Sequence, residues 1–105
     1  VLPATRTGST YPDNSDVVIT PNPSAGRILI SGTFADPALN DVDEASVFVS
    51  ITDMLGRVLQ HEVVNARYGR LHEEVKLSSQ LANGMYLLSL HTSAGAMLFH
   101  LVLER

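Results

Sequence analysis

The sequence predicts an all-β fold, a seven-stranded antiparallel sandwich of immunoglobulin-like build, on three observations. Short runs of β-branched and aliphatic residues alternate with polar ones at a period of two. Turn signals rich in Pro, Gly, Asn and Asp separate these runs at the regular spacing of a sandwich or barrel. No stretch longer than Leu77 to Asn83 has helical periodicity, and that one supplies a single turn. A small closed barrel shares these signals and is the architectural alternative. Cys and Trp are absent, so any kinship with antibody domains is one of architecture.

Each element has its own local reason. Residues 1–16 mix Pro, Thr, Ser, Gly, Asn and Asp without a hydrophobic period and read as a linker from an upstream domain, leaving 17–105 as the folded body. Leu2-Pro3-Ala4-Thr5 invites comparison with a sortase substrate, but Arg6 stands where that motif needs Gly. Val17 to Thr20 is a short β-branched run ended by Pro21, which removes a backbone donor. Arg27 to Thr33 sets Ile28 and Ile30 against Leu29 and Ser31, and Phe34 to Glu44 is a polar, acidic connection. Val47, Val49 and Ile51 point one way from a third strand, with Phe48, Ser50 and Thr52 opposite. After a tight turn, Arg57 to Val64 returns with Val58 and Val63 expected among its apolar positions. Leu71, Glu73, Val75 and Leu77 belong to a fifth strand, and 84–92 with 96–103 form the last hairpin.

Composition narrows the function. One domain of 105 residues with 45% hydrophobic and 17% charged residues is a folded globular body rather than a disordered tail. A net charge of -4 with singly scattered Lys and Arg disfavours a nucleic-acid footprint. No apolar run approaches the roughly 20 residues of a membrane-spanning helix. The chain starts at Val1 without an initiator Met or signal peptide and reads as a piece of a longer polypeptide.

Three turn motifs stand out. In Pro21-Asn22-Pro23 the first proline fixes its own φ and the second pushes Asn22 toward extended backbone, making a stiff elbow suited to a crossing between sheets. In Asp53-Met54-Leu55-Gly56-Arg57 the carboxylate can accept turn amides while Gly56 takes positive φ, which pins the register of the flanking strands. In the run from Leu77 to Gly84 a Ser caps one turn, Leu81 can plug the open end of the core, and Gly84 releases the chain into the next strand. Tyr86 then offers its ring to the core and its hydroxyl to the edge.

Taken in order, these motifs resemble the C-terminal sorting domain of the type IX secretion system over 17–105. The joint pattern is the proline elbow after a short strand, Asp53-x-x-Gly56-Arg57 before apolar Val58, Leu81-Ala82-Asn83-Gly84-x-Tyr86, and an apolar final strand. The family often carries Lys within and after that strand, where this chain has His100 and Arg105, and its connection at 35–44 is usually shorter. The resemblance implies a non-catalytic address. A protein in the periplasm is guided to an outer-membrane translocon, with cleavage and then surface attachment or release of the upstream cargo. Recognition is implied for residues 84–105. An exposed edge strand there could be read by backbone pairing, an expectation that depends on a free edge.

Other chemistry is poorly supported. Asp36, Asp41, Asp43 and Glu44, with Asn40, offer the oxygen ligands calcium takes, but lack the Gly and distal Glu of an EF-hand, and a solvated acidic loop is the ordinary reading. His61, His72, His91 and His100 show no His-x-x-x-His spacing and read as surface residues. No Ser sits in a nucleophile elbow, and Glu73 and Glu74 face opposite sides of a strand, so neither catalysis nor a cofactor is expected. The competing function is a fibronectin-like or carbohydrate-binding accessory module of an extracellular enzyme, for which Tyr11 and Tyr68 are the available stacking rings.

Overall fold

A computed structural model describes residues 6–9, 16–34, 37–93 and 95–105. Eight strands appear among them: β1 (Arg6–Ser9), β2 (Asp16–Thr20), β3 (Arg27–Thr33), β4 (Ala45–Thr52), β5 (Val58–Ala66), β6 (Arg70–Lys76), β7 (Gly84–Thr92) and β8 (Gly95–Leu103). They form two antiparallel sheets, β2-β3-β6 and β1-β8-β7-β4-β5. The seven expected strands are β2 to β8, arranged as a sandwich. The segment read as linker also contains β1, which pairs with β8.

The helical reading changes in two places. The Leu77 to Asn83 stretch is a hydrogen-bonded turn, with Leu81 N donating to Ser78 O at 3.1 Å, and not a helix. The one helical turn among the described residues is α1 (Pro37–Asn40), inside the acidic connection. There Leu39 is buried in the core, so α1 acts as a lid on one end of the sandwich.

Period-two alternation delivers the core as expected on most strands. Ile19, Ile28, Ile30, Leu71 and Val75 from the smaller sheet meet Val47, Val49, Ile51, Leu88, Leu90, Met97, Phe99 and Leu101 from the larger one, all buried. The exception is β5. Val58 and Val63 are more than half exposed, and Val64 and Ala66 supply the inward positions instead. Val58 lies opposite outward Thr52 and Val63 opposite outward Phe48, on one face although five positions apart, because Ile51 pairs with Gln60 and leaves Leu59 as an extra residue. That insertion inverts the parity of everything after it.

The outward face of the larger sheet is unusual for a surface. Its positions include Phe48, Ser50, His61, Val63, Leu87, Ser89, His91, Leu98, His100 and Val102, and the outward residues of β4, β5, β7 and β8 contain no Asp, Glu, Lys or Arg. The charges of the chain lie elsewhere.

At the far end of β5, Tyr68 (φ 50°) and Gly69 (φ 77°) form a two-residue turn closed by reciprocal Arg67 and Arg70 hydrogen bonds of 2.9 Å, the pattern of a type I′ hairpin. A Cβ on Gly69 would come within 2.1 Å of Asn40 Oδ1, so the turn and the α1 connection are pressed together. Phe34 N donates to Gly69 O and Tyr68 N to Val42 O. The long acidic connection thus closes this end of the sandwich.

Inward and outward positions should differ sharply on truncation. Leu88→Ala is expected to cost roughly 2–5 kcal/mol and Phe48→Ala less than about 1 kcal/mol, measured by urea denaturation.

Candidate functional site

The proline elbow lies against β8. Its two X-Pro bonds, Thr20–Pro21 and Asn22–Pro23, are cis. Asn22 Oδ1 accepts from Val102 N at 2.8 Å and Asn22 Nδ2 donates to His100 O at 3.4 Å, a side-chain amide imitating a neighbouring strand. Two residues on, Ser24 N donates to Val102 O and Ser24 O accepts from Glu104 N, both at 2.8 Å. Ser24 is itself buried, its Oγ donating to Arg27 O and accepting from Gly26 N. The elbow thereby serves the outer edge of β8 from His100 to Glu104.

The other half of that edge is covered by β1, whose Arg6, Gly8 and Ser9 stand opposite Phe99, Leu98 and Met97. The expected free edge on the last hairpin is therefore not present. β7 is interior to the sheet between β8 and β4, and β8 is flanked from Met97 to Leu103. Extended segments of this chain already occupy the backbone groups that an external strand would need.

The last residues are clasped as well. Arg105 N donates to Asn83 Oδ1 at 2.9 Å, and its guanidinium reaches the carbonyls of Leu81, Ser78 (2.6 Å) and Leu77 (3.4 Å). One planar fork serving several carbonyls of a single turn is work that a Lys ammonium does less well, which gives Arg at this position a structural reason. Leu81 is buried at the core's end, and the buried Tyr86 donates its hydroxyl to Ala82 O. Gly84 opens β7 opposite Leu103. Leu81, Gly84, Tyr86 and Arg105 thus converge at one end of the β7–β8 hairpin, with Asn22 and Pro23 beside its margin.

Asp53, Gly56 and Arg57 stand apart at the β4–β5 turn. Asp53 Oδ1 accepts from Leu55 N (2.9 Å) and Arg57 N (3.0 Å), while Oδ2 takes Arg57 Nε at 2.7 Å. Gly56 supplies φ 88° with open space around it. The Arg57 backbone amide foremost, with the Arg57 side chain and the Leu55 amide, holds the Asp53 carboxyl below its ordinary value against a smaller opposing effect of desolvation. This motif is a register pin, and nothing joins it to the β8 margin.

The other candidates separate. Asp41, Asp43 and Glu44 are exposed, Asp36 and Tyr11 lie outside the described residues, and among the described residues no group of three or more His, Asp or Glu side chains is placed to hold a metal. His61, His91 and His100 share the outward face of the larger sheet, opposite Ser50, Phe48 and Leu87 respectively. Tyr68 is exposed beside a groove of about 670 Å³ that Arg67, Arg70 and Glu73 also line. Among the described residues, no helix is long and apolar enough to cross a membrane.

Sequence reasoning missed Ser24 and Gln60, and it named Asn83 within the Leu81 to Tyr86 pattern without its contact to Arg105. Gln60 accepts from Ser78 N at 2.8 Å and donates to Lys76 O at 2.9 Å, tying β5 to the end of β6 across the sheets. Only Ser24 had a local signal, a Ser two residues before a turn Gly.

Two measurements check these assignments. Asn22→Ala strands Val102 N and His100 O and is expected to cost about 1–3 kcal/mol in urea denaturation. For Asp53 the folded pKa is depressed, so its contribution is complete above the unfolded value near 3.9 and disappears as pH falls through the folded value. The unaltered protein should therefore lose more of its urea midpoint between pH 6 and about pH 3 than Asp53→Asn does.

Comparison with known proteins agrees with this architecture. A family model described as a secretion system C-terminal sorting domain matches residues 18–104. A search of curated proteins finds no match. The crystal structure of dimeric latent PorU from Porphyromonas gingivalis matches with a TM-score of 0.62 and 23% identity, over 88% of this chain and 9% of that one. At that identity the likeness is one of fold, and this chain corresponds to a small part of PorU. The family match takes in the elbow, the Asp53 turn and nearly the whole of the final hairpin, and the chain belongs to the C-terminal sorting domain family of type IX secretion.

Proposed function

We propose that this domain carries an upstream protein from the periplasm to the outer-membrane translocon of the type IX system, with residues 84–105 as the recognised part and residues 1–16 as the tether. Sorting is the function of the family, and export to the cell surface or beyond follows from it. The finer steps belong to this proposal: transit through the periplasm, contact with the translocon and its surface processing machinery, and cleavage followed by attachment or release of the cargo.

The observation that carries the proposal is the placement of the family's motifs around one hairpin. The elbow, Leu81, Gly84, Tyr86 and Arg105 all brace β7 and β8, so the motif residues keep this hairpin in shape rather than form a pocket of their own. A rigid, sheet-bound hairpin with a charge-free outward face suits recognition by a protein partner, because it presents apolar area with little desolvation cost. The domain contributes no catalysis in this reading, in keeping with a family that is non-catalytic in general.

Fusing residues 1–105 behind a periplasmic reporter in a host with the type IX machinery should move the reporter to the surface or medium. Retention in the periplasm, while a control sorting domain is exported, would overturn the reading. Deleting 96–105 removes β8 with Met97, Phe99, Leu101 and Leu103 from the core and should abolish both export and folding, the latter read by circular dichroism. A truncated domain that stays folded but is not exported would separate the address from the fold.

A further inference from the structure

We propose that the outer edge of β8 at Met97–Phe99 is a strand-addition site, held here by the chain's own β1 and taken over during export by an extended apolar segment of the translocation machinery. The inference rests on the sorting reading above and assigns the surface that the machinery grips.

The edge of β8 is covered in two unlike ways. From His100 to Glu104 it is bonded by Asn22 and Ser24, residues inside the matched body, one through its side chain and one through its backbone. From Met97 to Phe99 it is covered by Arg6–Ser9, outside that body. Arg-Thr-Gly-Ser brings no apolar residue, and its pairing is interrupted between Arg6 and Gly8. A strand without apolar residues adds nothing to a core, so backbone pairing alone commends it. It is the most replaceable strand of the sheet.

The register states what a better occupant would carry. Gly8 stands opposite Leu98, and residues directly opposite in an antiparallel pair share a face. Gly8 has no side chain to lay over Leu98, which is 36% exposed at the margin of the charge-free outward face. A competing antiparallel segment with Leu, Ile or Val at that position keeps the backbone bonds and covers Leu98 as well. Such an exchange is β-augmentation with a self-supplied placeholder, which also shields the edge from unwanted pairing.

The chain lacks cysteine, which makes the test clean. Facing Cα atoms of an antiparallel pair lie about 4.5–5.5 Å apart, within disulfide range, so Gly8→Cys with Leu98→Cys can lock β1 in place. In the reporter fusion of residues 1–105, the double variant grown with a thiol reductant sets the reference, because its export level already carries whatever Leu98→Cys costs by itself. The oxidised double variant should be retained at least about tenfold more, with export restored when cells are grown with a thiol reductant. Export of the cross-linked form at the unmodified level would overturn the proposal. Gly8→Val, which strengthens the placeholder, should raise the urea midpoint while lowering export about fivefold; a higher midpoint with unchanged export would also overturn it. A photo-cross-linking phenylalanine analogue in place of Leu98 should capture an outer-membrane component of the export machinery during transit, whereas capture of only a second copy of this chain would count against it. Failure of the unmodified fusion to leave the periplasm would instead remove the sorting reading itself.

Discussion

A strand at the margin of a sheet presents backbone groups that must be paired, covered or left to water, and in this domain β8 meets that requirement with pieces drawn from elsewhere in the chain. Asn22 and Ser24 reach it from nearly 80 residues away, and β1 arrives from the N-terminal side. The inward side chains of the same strand, Met97, Phe99, Leu101 and Leu103, form one wall of the core. A change to β8 is therefore felt at once in the smaller sheet through the core and in the elbow through hydrogen bonds. The pairing of this one edge also joins the two sheets, because the elbow is the connection between β2 and β3.

The end of the β7–β8 hairpin is closed with the same economy. Tyr86, Asn83 and Arg105 satisfy carbonyls and amides around the turn at 77–83, Leu81 fills the space beneath, and Gln60 fixes the turn's entry to β5. The hydrogen bonds among these lie at or near the surface, where a single one contributes about 1 kcal/mol. Together they hold a stretch that has no helix or strand of its own. The opposite end is closed differently, by Leu39 of α1 and the pressed contact of Asn40 with Gly69.

In the sorting proposal, fold and address coincide for a physical reason. A sandwich this small has few surfaces that are both rigid and apolar, and the outward face carrying Phe48, Leu87, Leu98 and Val102 is one of them. That face is rigid because β4 and β7 are interior strands of the larger sheet. Recognition that relied on it would inherit the stability of the core beneath it.

The alternation of residues and the turn chemistry pointed by themselves to an all-β chain, read as a sandwich with a closed barrel as the alternative, and to the inward positions of β3, β4 and β6, the Asp53 to Arg57 turn, and the places of Leu81 and Tyr86, because each depends on neighbours within a few positions. Three features were decided only by tertiary structure. That Val58 and Val63 share the outward face depended on one extra residue at Leu59, since apolar residues look alike in sequence on either face of a strand. The strand at Arg6–Ser9 has no periodicity to read, being held by pairing with β8. Asn22 was legible as part of a stiff elbow but not as a partner of His100 and Val102, because a side-chain amide carries no mark of which distant backbone it will meet until the sheets have packed.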